Sequence, residues 1–221
     1  MIMRLKLKFG FTLVELLVVV VLLAVLSGML LVAMPSVREK ANRARCAHNL
    51  KQLYLAFSQY LADENVYPKG SSQSEPSLTD KQWWGNLLTN YWMSGTSDIH
   101  EQQRKMQIVR CPTAAAIHGN YEDWSLMMNQ WLQGKAFGGG GPGVMALPPE
   151  RVSKTILAGD GHWQGSKWNG IDPLTQKPDF EHNGGANFLF CDGHVAYMRP
   201  PKALEQHYWF TNVPLPEGQN Q

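Results

Sequence analysis

The sequence lacks the short patterns that mark most catalytic and metal-binding proteins. It has no Gly-x-Ser-x-Gly, no His-Glu-x-x-His, no paired-acid phrase and no calcium loop of the EF-hand type. Its glycine-rich stretch, 138–143, has no lysine where a phosphate-binding loop requires one. We therefore expect no enzymatic activity, no catalytic residue and no bound cofactor.

Cysteine is scarce, with three residues and no Cys-x-x-Cys pair. A zinc ribbon and a thioredoxin-type motif are thereby excluded. An odd number of cysteines cannot pair completely within one chain, although one disulfide can form in an oxidising compartment. The sequence leaves open all three pairings of Cys46, Cys111 and Cys191.

An excess of charge of one sign is also missing. The chain has 20 basic and 18 acidic residues, a formal net charge of +2. Removing Arg4, Lys6 and Lys8 from the 20 basic residues leaves 17 against the 18 acidic ones. This balance gives no reason to expect a nucleic-acid partner.

One long apolar run is present near the N-terminus. Between Leu16 and Met34 there is no charge, and Ser27 is the single polar side chain. As a helix, residues 11–34 would be about 36 Å long, enough to cross a hydrocarbon layer of about 30 Å. A secretory signal peptide would have a shorter apolar region and a small-x-small cleavage site. Glu15 argues against both a signal peptide and a plain anchor, because a carboxylate in lipid is costly and is usually functional.

The segment Gly10-Phe11-Thr12-Leu13-Val14-Glu15 resembles the processing site of type IV prepilins and type II secretion pseudopilins. The resemblance implies a membrane-bound prepilin peptidase that cuts after Gly10 and methylates the new amine of Phe11. It also implies other pilin-like subunits and the inner membrane as partners, with the head on the periplasmic side. The basic residues on both sides of the apolar run leave this orientation ambiguous by charge alone.

Glu15 lies about one helical turn into the mature chain. The processing-site resemblance implies that it pairs with the Phe11 amine of a neighbouring subunit, which would neutralise two charges in lipid and fix the axial register. Pairing of Glu15 with the Phe11 amine of its own chain is the open alternative.

These observations predict an α+β fold in which a long N-terminal transmembrane and stalk α-helix packs on a small antiparallel β-sheet head. We divide the chain into a cleaved leader (1–10), a transmembrane and assembly helix (11–34), an amphipathic stalk helix (35–66) and a globular head (67–221). The helix is expected from about residue 12 to about residue 63. Its predicted apolar stripe contains Val37, Ala41, Ala44, His48, Leu50, Leu53, Tyr54, Phe57, Tyr60 and Leu61. Its predicted polar face contains Arg38, Arg45, Asn49, Lys51 and Gln52.

Two apolar runs in the head predict strands. Residues 155–158 read as one strand that leads to Asp160. Residues 186–198 read as a β-hairpin, because apolar runs flank Asp192-Gly193 and glycine supplies the positive φ of a turn. Residues 106–109 predict a further strand, and the tryptophans and leucines of 83–88 predict a short helix.

The residues His182, Asp192 and Gly193 form His-x9-Asp-Gly. With the phrase of residues 182–190, they resemble a C-terminal signature of prepilin-like proteins in planctomycetes and related bacteria. Residues 45–53 and 110–112 resemble the same group. In the structural interpretation, Asp192-Gly193 makes the hairpin turn and His182 hydrogen-bonds back to it or to the strand backbone.

A metal site is the other interpretation of this signature. Related major pseudopilins bind calcium in their C-terminal loops, which makes calcium the alternative to our expectation of no metal. The oxygen and nitrogen ligands available for it are Asp160, His162, Asp179, Glu181, His182, Asp192 and His194. A thiolate site would use Cys111 or Cys191 with His182 or His194.

The functional hypothesis is a structural subunit of a type II secretion pseudopilus or a type IV pilus-like filament. Gly10 and Phe11 would serve processing, and Glu15 would serve assembly. The alternative is a membrane-tethered module that does not polymerise and binds a metal, a glycan or an exported protein.

Overall fold

The computed structural model describes residues 12–68, 87–88, 91, 109–118, 125–132, 147, 149–161, 171, 173–174 and 177–209. Residues 83–86 of the predicted short helix and residues 106–108 of the predicted strand at 106–109 lie outside these residues, as do Gly10, Phe11 and His162. The chain divides into two compact units, residues 1–40 and 41–221.

Helix α1 (Leu13–Glu64) is the longest element and continues through Pro35 without a break. Both predicted ends are confirmed to within about one residue. Within the first unit, the side chains from Leu13 to Val37 are all exposed to solvent. This part of the helix is long and apolar enough to cross a membrane, and none of its most apolar window is buried.

The second unit contains a four-stranded antiparallel sheet in the strand order β1-β2-β3-β4. The strands are β1 (Leu126–Met128), β2 (Ile156–Asp160), β3 (Ala186–Phe190) and β4 (Val195–Met198). Two short helices, α2 (Pro112–His118) and α3 (Pro149–Val152), and two 3₁₀ helices at Lys202–Leu204 and Gln206–Tyr208 complete the described elements. The predicted α+β fold, the strand at 155–158 and the hairpin at 186–198 are confirmed.

Strands β2 and β3 are buried along their whole length. Side chains of a strand alternate between the two faces of a sheet, so both faces must be covered. On one face, Phe188 packs edge-on against Trp209 with ring centroids 5.8 Å apart. On the other face, Asn187 Nδ2 reaches the carbonyl oxygen of Arg43 in α1, 3.4 Å away. The C-terminal segment and the second half of α1 therefore enclose the sheet between them.

The buried face of α1 begins later than predicted and follows a different line. Leu50, Leu53, Phe57, Tyr60 and Leu61 are buried in the core as expected. The predicted stripe from Val37 to His48 is wrong, because Val37, Ala41, Ala44 and His48 are exposed. Cys46 and Asn49 lie one turn before Leu50 and Leu53, and they continue the buried face instead.

The prediction that Asn49 lies on the polar face of α1 is wrong, because its side chain is only 6% exposed. Its Nδ2 donates a hydrogen bond to the carbonyl oxygen of Arg110, 3.2 Å away. The amide is therefore satisfied inside the head, which is the condition under which a polar side chain can be buried at low cost.

Candidate functional site

The first candidate site is the start of α1, where Thr12 and Glu15 bond to each other. Glu15 Oε2 accepts hydrogen bonds from the Thr12 backbone N–H at 2.9 Å and from the Thr12 hydroxyl at 2.8 Å. The Glu15 backbone N–H in turn donates to Thr12 Oγ1 at 3.2 Å. This reciprocal arrangement is a capping box, which satisfies N–H groups that a helix start leaves without a partner. Glu15 thus has a third use besides the two pairings considered above, and the Thr-x-x-Glu spacing is the sequence signal that indicates it.

The apolar surface of α1 is continuous on both sides of Glu15. Leu13 is 87% exposed, Val32 is 84% exposed, and the leucines and valines between them are each at least 44% exposed. Water is an unfavourable neighbour for a surface of this size and composition. The first half of α1 therefore requires lipid, other apolar helices, or both as its surroundings.

The second candidate site begins at His182, in a tight turn. The His182 and Gly185 backbones exchange N–H···O bonds of 3.0 Å and 3.1 Å. Between them Asn183 has φ +52° and Gly184 has φ +77°. Positive φ at both central residues defines a type I′ turn, for which Asn-Gly is the preferred pair. Tyr197 closes this turn by donating its hydroxyl to the His182 carbonyl oxygen at 2.7 Å.

Asp192 and Gly193 lie at the other end of β3 and form the predicted turn to β4. Asp192 Oδ1 accepts from the His194 backbone N–H at 3.0 Å and lies 2.6 Å from His194 Nδ1. Gly193 has φ +88°, and a Cβ there would come within 2.5 Å of the Tyr54 ring of α1. Gly193 is thus required both by the turn and by the close approach of the helix.

The side chain of His182 points away from the hairpin turn, toward Cys111 and Asp160. Its Nε2 lies 3.2 Å from Cys111 Sγ and 3.5 Å from Asp160 Oδ2. Cys46 Sγ lies 2.7 Å from Cys111 Sγ, and both thiols are free. One ligand atom from each of these four buried residues lies within 4.8 Å of the others. The two halves of His-x9-Asp-Gly therefore have separate roles. His182 belongs to a buried cluster with Cys46, Cys111 and Asp160, and Asp192-Gly193 forms the hairpin turn.

Four segments of the chain supply this Cys46–Cys111–Asp160–His182 cluster. Cys46 opens the buried face of α1, and Cys111 precedes α2. Asp160 is the last residue of β2, and His182 opens the turn before β3. Neighbouring residues hold two of these four, Asp160 and Cys111, in position.

Two backbone contacts hold members of the cluster. Asn187 donates its backbone N–H to Asp160 Oδ2 at 2.6 Å and its Nδ2 to the same oxygen at 3.3 Å. The Cys111 backbone N–H donates to Ser125 Oγ at 2.6 Å.

Burial and mutual contact shift the acid–base properties of the cluster. Burial, reinforced by the charge of Cys111, raises the pKa of Asp160 to about 8. The hydrogen bond from the Cys46 thiol, and then the hydrogen bond to His182, lower the pKa of Cys111, whereas the same contact with Cys111 raises the pKa of Cys46. Cys111 is therefore the sulfur that carries negative charge most readily.

The structure brings some of the predicted ligand residues together and separates the others. Asp160, His182 and Cys111 come together, and Cys46 of α1, which is not among the predicted ligands, joins them. Asp192 and His194 pair with each other at the hairpin turn. Cys191 is buried elsewhere in the core, and Asp179 donates its backbone N–H to the Asp160 carbonyl oxygen at 3.2 Å. The sequence leaves three cysteine pairings open. In the structure, Cys46 and Cys111 are the two cysteines in contact.

Comparison with known families identifies the N-terminal segment. Residues 5–31 match the family model described as "Prokaryotic N-terminal methylation motif". The chain is therefore a prepilin-like, membrane-anchored protein, and its motif implies processing by a prepilin peptidase.

Residues 35–141 match the family model described as "Protein of unknown function (DUF1559)". The prediction of a pilin-like protein of the planctomycete type is confirmed by the two matches together. None of the curated proteins and none of the solved structures compared with the chain gives a match. His182, Asp192 and Gly193 lie outside both matched segments, so their assignment to a family signature stays a prediction.

Proposed function

We propose that the chain is a pilin-like or pseudopilin structural subunit that is cut after Gly10, methylated on Phe11 and assembled into a pseudopilus or pilus-like filament. The observation that carries the proposal is the exposed apolar half of α1, most of which lies inside the segment 5–31 that matches the methylation motif. A filament of packed helices would bury this surface, as the bilayer does before assembly. The role is structural and requires no catalytic group.

The head is proposed to lie on the periplasmic side of the inner membrane, as in the prepilins that the N-terminal segment resembles. The identity of the partner subunits would distinguish a secretion pseudopilus from a pilus-like filament. Crosslinking in the native membrane would identify these subunits.

Processing is tested by mass spectrometry of the mature protein. The expected N-terminus is a methylated Phe11, and Gly10→Trp should remain full length. Gly28→Trp is the matched control, because a Cβ at Gly28 would meet no described atom within 4 Å other than the adjacent backbone of its own helix. A native protein that keeps Met1 and the basic leader, or a Gly10→Trp variant that is cut normally, would contradict the proposal.

Assembly is tested by substitutions of Glu15. Because Glu15 belongs to a capping box, two substitutions are needed to separate the role of its charge from its role in capping. Glutamine can replace glutamate in a capping box but carries no charge. If Glu15 serves an ionic contact between subunits, Glu15→Gln and Glu15→Ala should both be processed, and both should lose the ladder of crosslinked multimers. Full assembly of Glu15→Gln alongside failure of Glu15→Ala would assign Glu15 to capping and refute the ionic contact.

The non-polymerising binding module is separated by the same crosslinks. Mature wild-type subunits should give multimers in membranes. Monomers alone, at native expression, would favour the tethered module over the filament subunit.

A further inference from the structure

We propose that Cys46, Cys111, Asp160 and His182 bind one zinc ion inside the head. The first argument is convergence: ligand atoms of four residues, from four separate segments of the chain, all lie within 4.8 Å of one another. Each residue is almost completely buried, with 0% exposure at Cys46 and 2% or less at the other three. Side chains of this kind converge in a protein interior when they are bonded to each other or to a shared ion.

The donor set selects the metal. Two sulfurs, one imidazole nitrogen and one carboxylate oxygen are ligands that Zn²⁺ accepts in tetrahedral geometry. Calcium prefers six to eight oxygen ligands, so the two thiols make it a poor fit. The proposed ion thus differs from the calcium that we considered for the C-terminal loops from the sequence.

Asp160 supplies an independent observation. Its Oδ1 is buried and has no hydrogen-bond partner among the residues that the structure describes. Asn187 occupies the other oxygen through two hydrogen bonds. A buried carboxylate with an unbonded oxygen is costly. A cation bound to this carboxylate, whose Oδ2 lies 3.5 Å from His182 Nε2, would offset that cost.

The surroundings also resemble the outer layer of a metal site. Asn187 fixes the orientation of Asp160, and Ser125 fixes the Cys111 backbone. Asn49, one turn after Cys46 in α1, holds the Arg110 carbonyl next to Cys111. Contacts of this kind orient ligands and typically change metal affinity about 10- to 100-fold when removed.

Binding requires one local adjustment and releases protons. Two thiolates at about 2.3 Å from one tetrahedral ion lie roughly 3.8 Å apart. The sulfurs of Cys46 and Cys111, now 2.7 Å apart, would therefore separate by about 1 Å through side-chain rotation. The protons still held by the thiols and by the Asp160 carboxyl group pass to solvent as the bonds to zinc form, and no electron is transferred.

A disulfide between Cys46 and Cys111 is the competing state in an oxidising compartment. It would provide no partner for Asp160 Oδ1 and would use neither His182 nor Asp160 as a ligand. The zinc site accounts for all four side chains, and the disulfide accounts for two.

The test uses the full chain, purified in detergent without reductant from cells supplied with zinc. Elemental analysis should find about one zinc per chain, and thiol titration after denaturation with a chelator should find all three cysteines reduced. One reduced cysteine and no zinc would establish the disulfide and overturn the proposal. Three reduced cysteines without zinc would overturn it as well.

Matched variants locate the ion. The substitutions expected to lower zinc content at least tenfold are Cys46→Ser, Asp160→Asn and His182→Ala. Their controls at the hairpin turn, Cys191→Ala, Asp192→Asn and His194→Ala, should keep it. Equal zinc in both sets would mean adventitious binding and would overturn the assignment.

Cobalt exchange in the wild-type protein covers the case in which ligand variants fail to fold. Co²⁺ bound here should give the visible bands of a tetrahedral site and a thiolate-to-cobalt band in the near ultraviolet. Binding without a thiolate band would exclude Cys46 and Cys111 as ligands and refute the site.

Discussion

The close approach of Gly193 to Tyr54 makes a quantitative prediction about how the hairpin packs on α1. Gly193 and Gly184 both have positive φ, +88° and +77°, so alanine at either position is strained. That strain costs about 1–2 kcal/mol, and the loss of unfolded-state freedom returns about 0.4–1 kcal/mol. Gly184→Ala should therefore lower the free energy of unfolding by about 1 kcal/mol, since a Cβ there meets nothing within 4 Å.

Gly193→Ala should cost more, because its Cβ would overlap the Tyr54 ring. Overpacking of this kind adds about 1–3 kcal/mol, which gives a total of about 2–4 kcal/mol. Urea unfolding of the full chain in detergent, followed by tryptophan fluorescence, measures both variants. With a slope of about 2 kcal/mol per M urea, the two midpoints should differ by roughly 1 M.

A double-mutant cycle isolates the contact. In a Tyr54→Ala background the ring is gone, so Gly193→Ala should cost no more than Gly184→Ala does. Equal destabilisation by the two single substitutions, or a Gly193→Ala cost that Tyr54→Ala leaves unchanged, would refute the packing argument.

Three further predictions concern the head. Burial raises the pKa of Cys191 to about 12. Iodoacetamide at pH 8 should therefore label Cys191 only after the protein is unfolded. Rapid labelling of the native protein at this site, with Cys191→Ala as the control, would contradict this. Tyr197→Phe removes the hydroxyl bonded to the His182 carbonyl and should lower the free energy of unfolding by about 1 kcal/mol, whereas no change would show the bond to be unimportant. Asn129→Leu should cost at least about 2 kcal/mol in urea unfolding, because its Nδ2 bonds two buried carbonyl oxygens, those of Ile156 and Trp209; a loss below about 1 kcal/mol would contradict that account.

Local chemistry explains which parts of the fold could be predicted from the sequence. The hairpin at 186–198 is encoded by apolar runs around Asp192-Gly193, and the long helix by an unbroken apolar and then periodic pattern. Strand β1 cannot be predicted from the sequence, because Leu126–Met128 is three residues long and buried throughout and so shows no alternation. Such a strand is defined by its pairing with β2 rather than by its own sequence.

Asp160, Cys111 and His182 are candidate ligands from the sequence, but their meeting with Cys46 could not be predicted, for a related reason. The members of this cluster are separated by many residues along the chain, and the spacing follows from the tertiary fold rather than from a motif. The prediction for the face of α1 that carries Cys46 and Asn49 is wrong because a polar side chain favours the exposed face, whereas the buried Asn49 amide bonds the Arg110 carbonyl oxygen. Glu15 illustrates the opposite case, since its capping box was visible in the sequence as Thr-x-x-Glu.

The position at which α1 becomes buried has a practical consequence for work on this protein. Every buried residue of α1 lies at Cys46 or later, and the second compact unit starts at Ala41. A truncated protein that starts at Ala41 would keep every core residue that the structure describes and lose the apolar segment that requires detergent. Such a fragment offers a route to crystals and to solution NMR of the folded part.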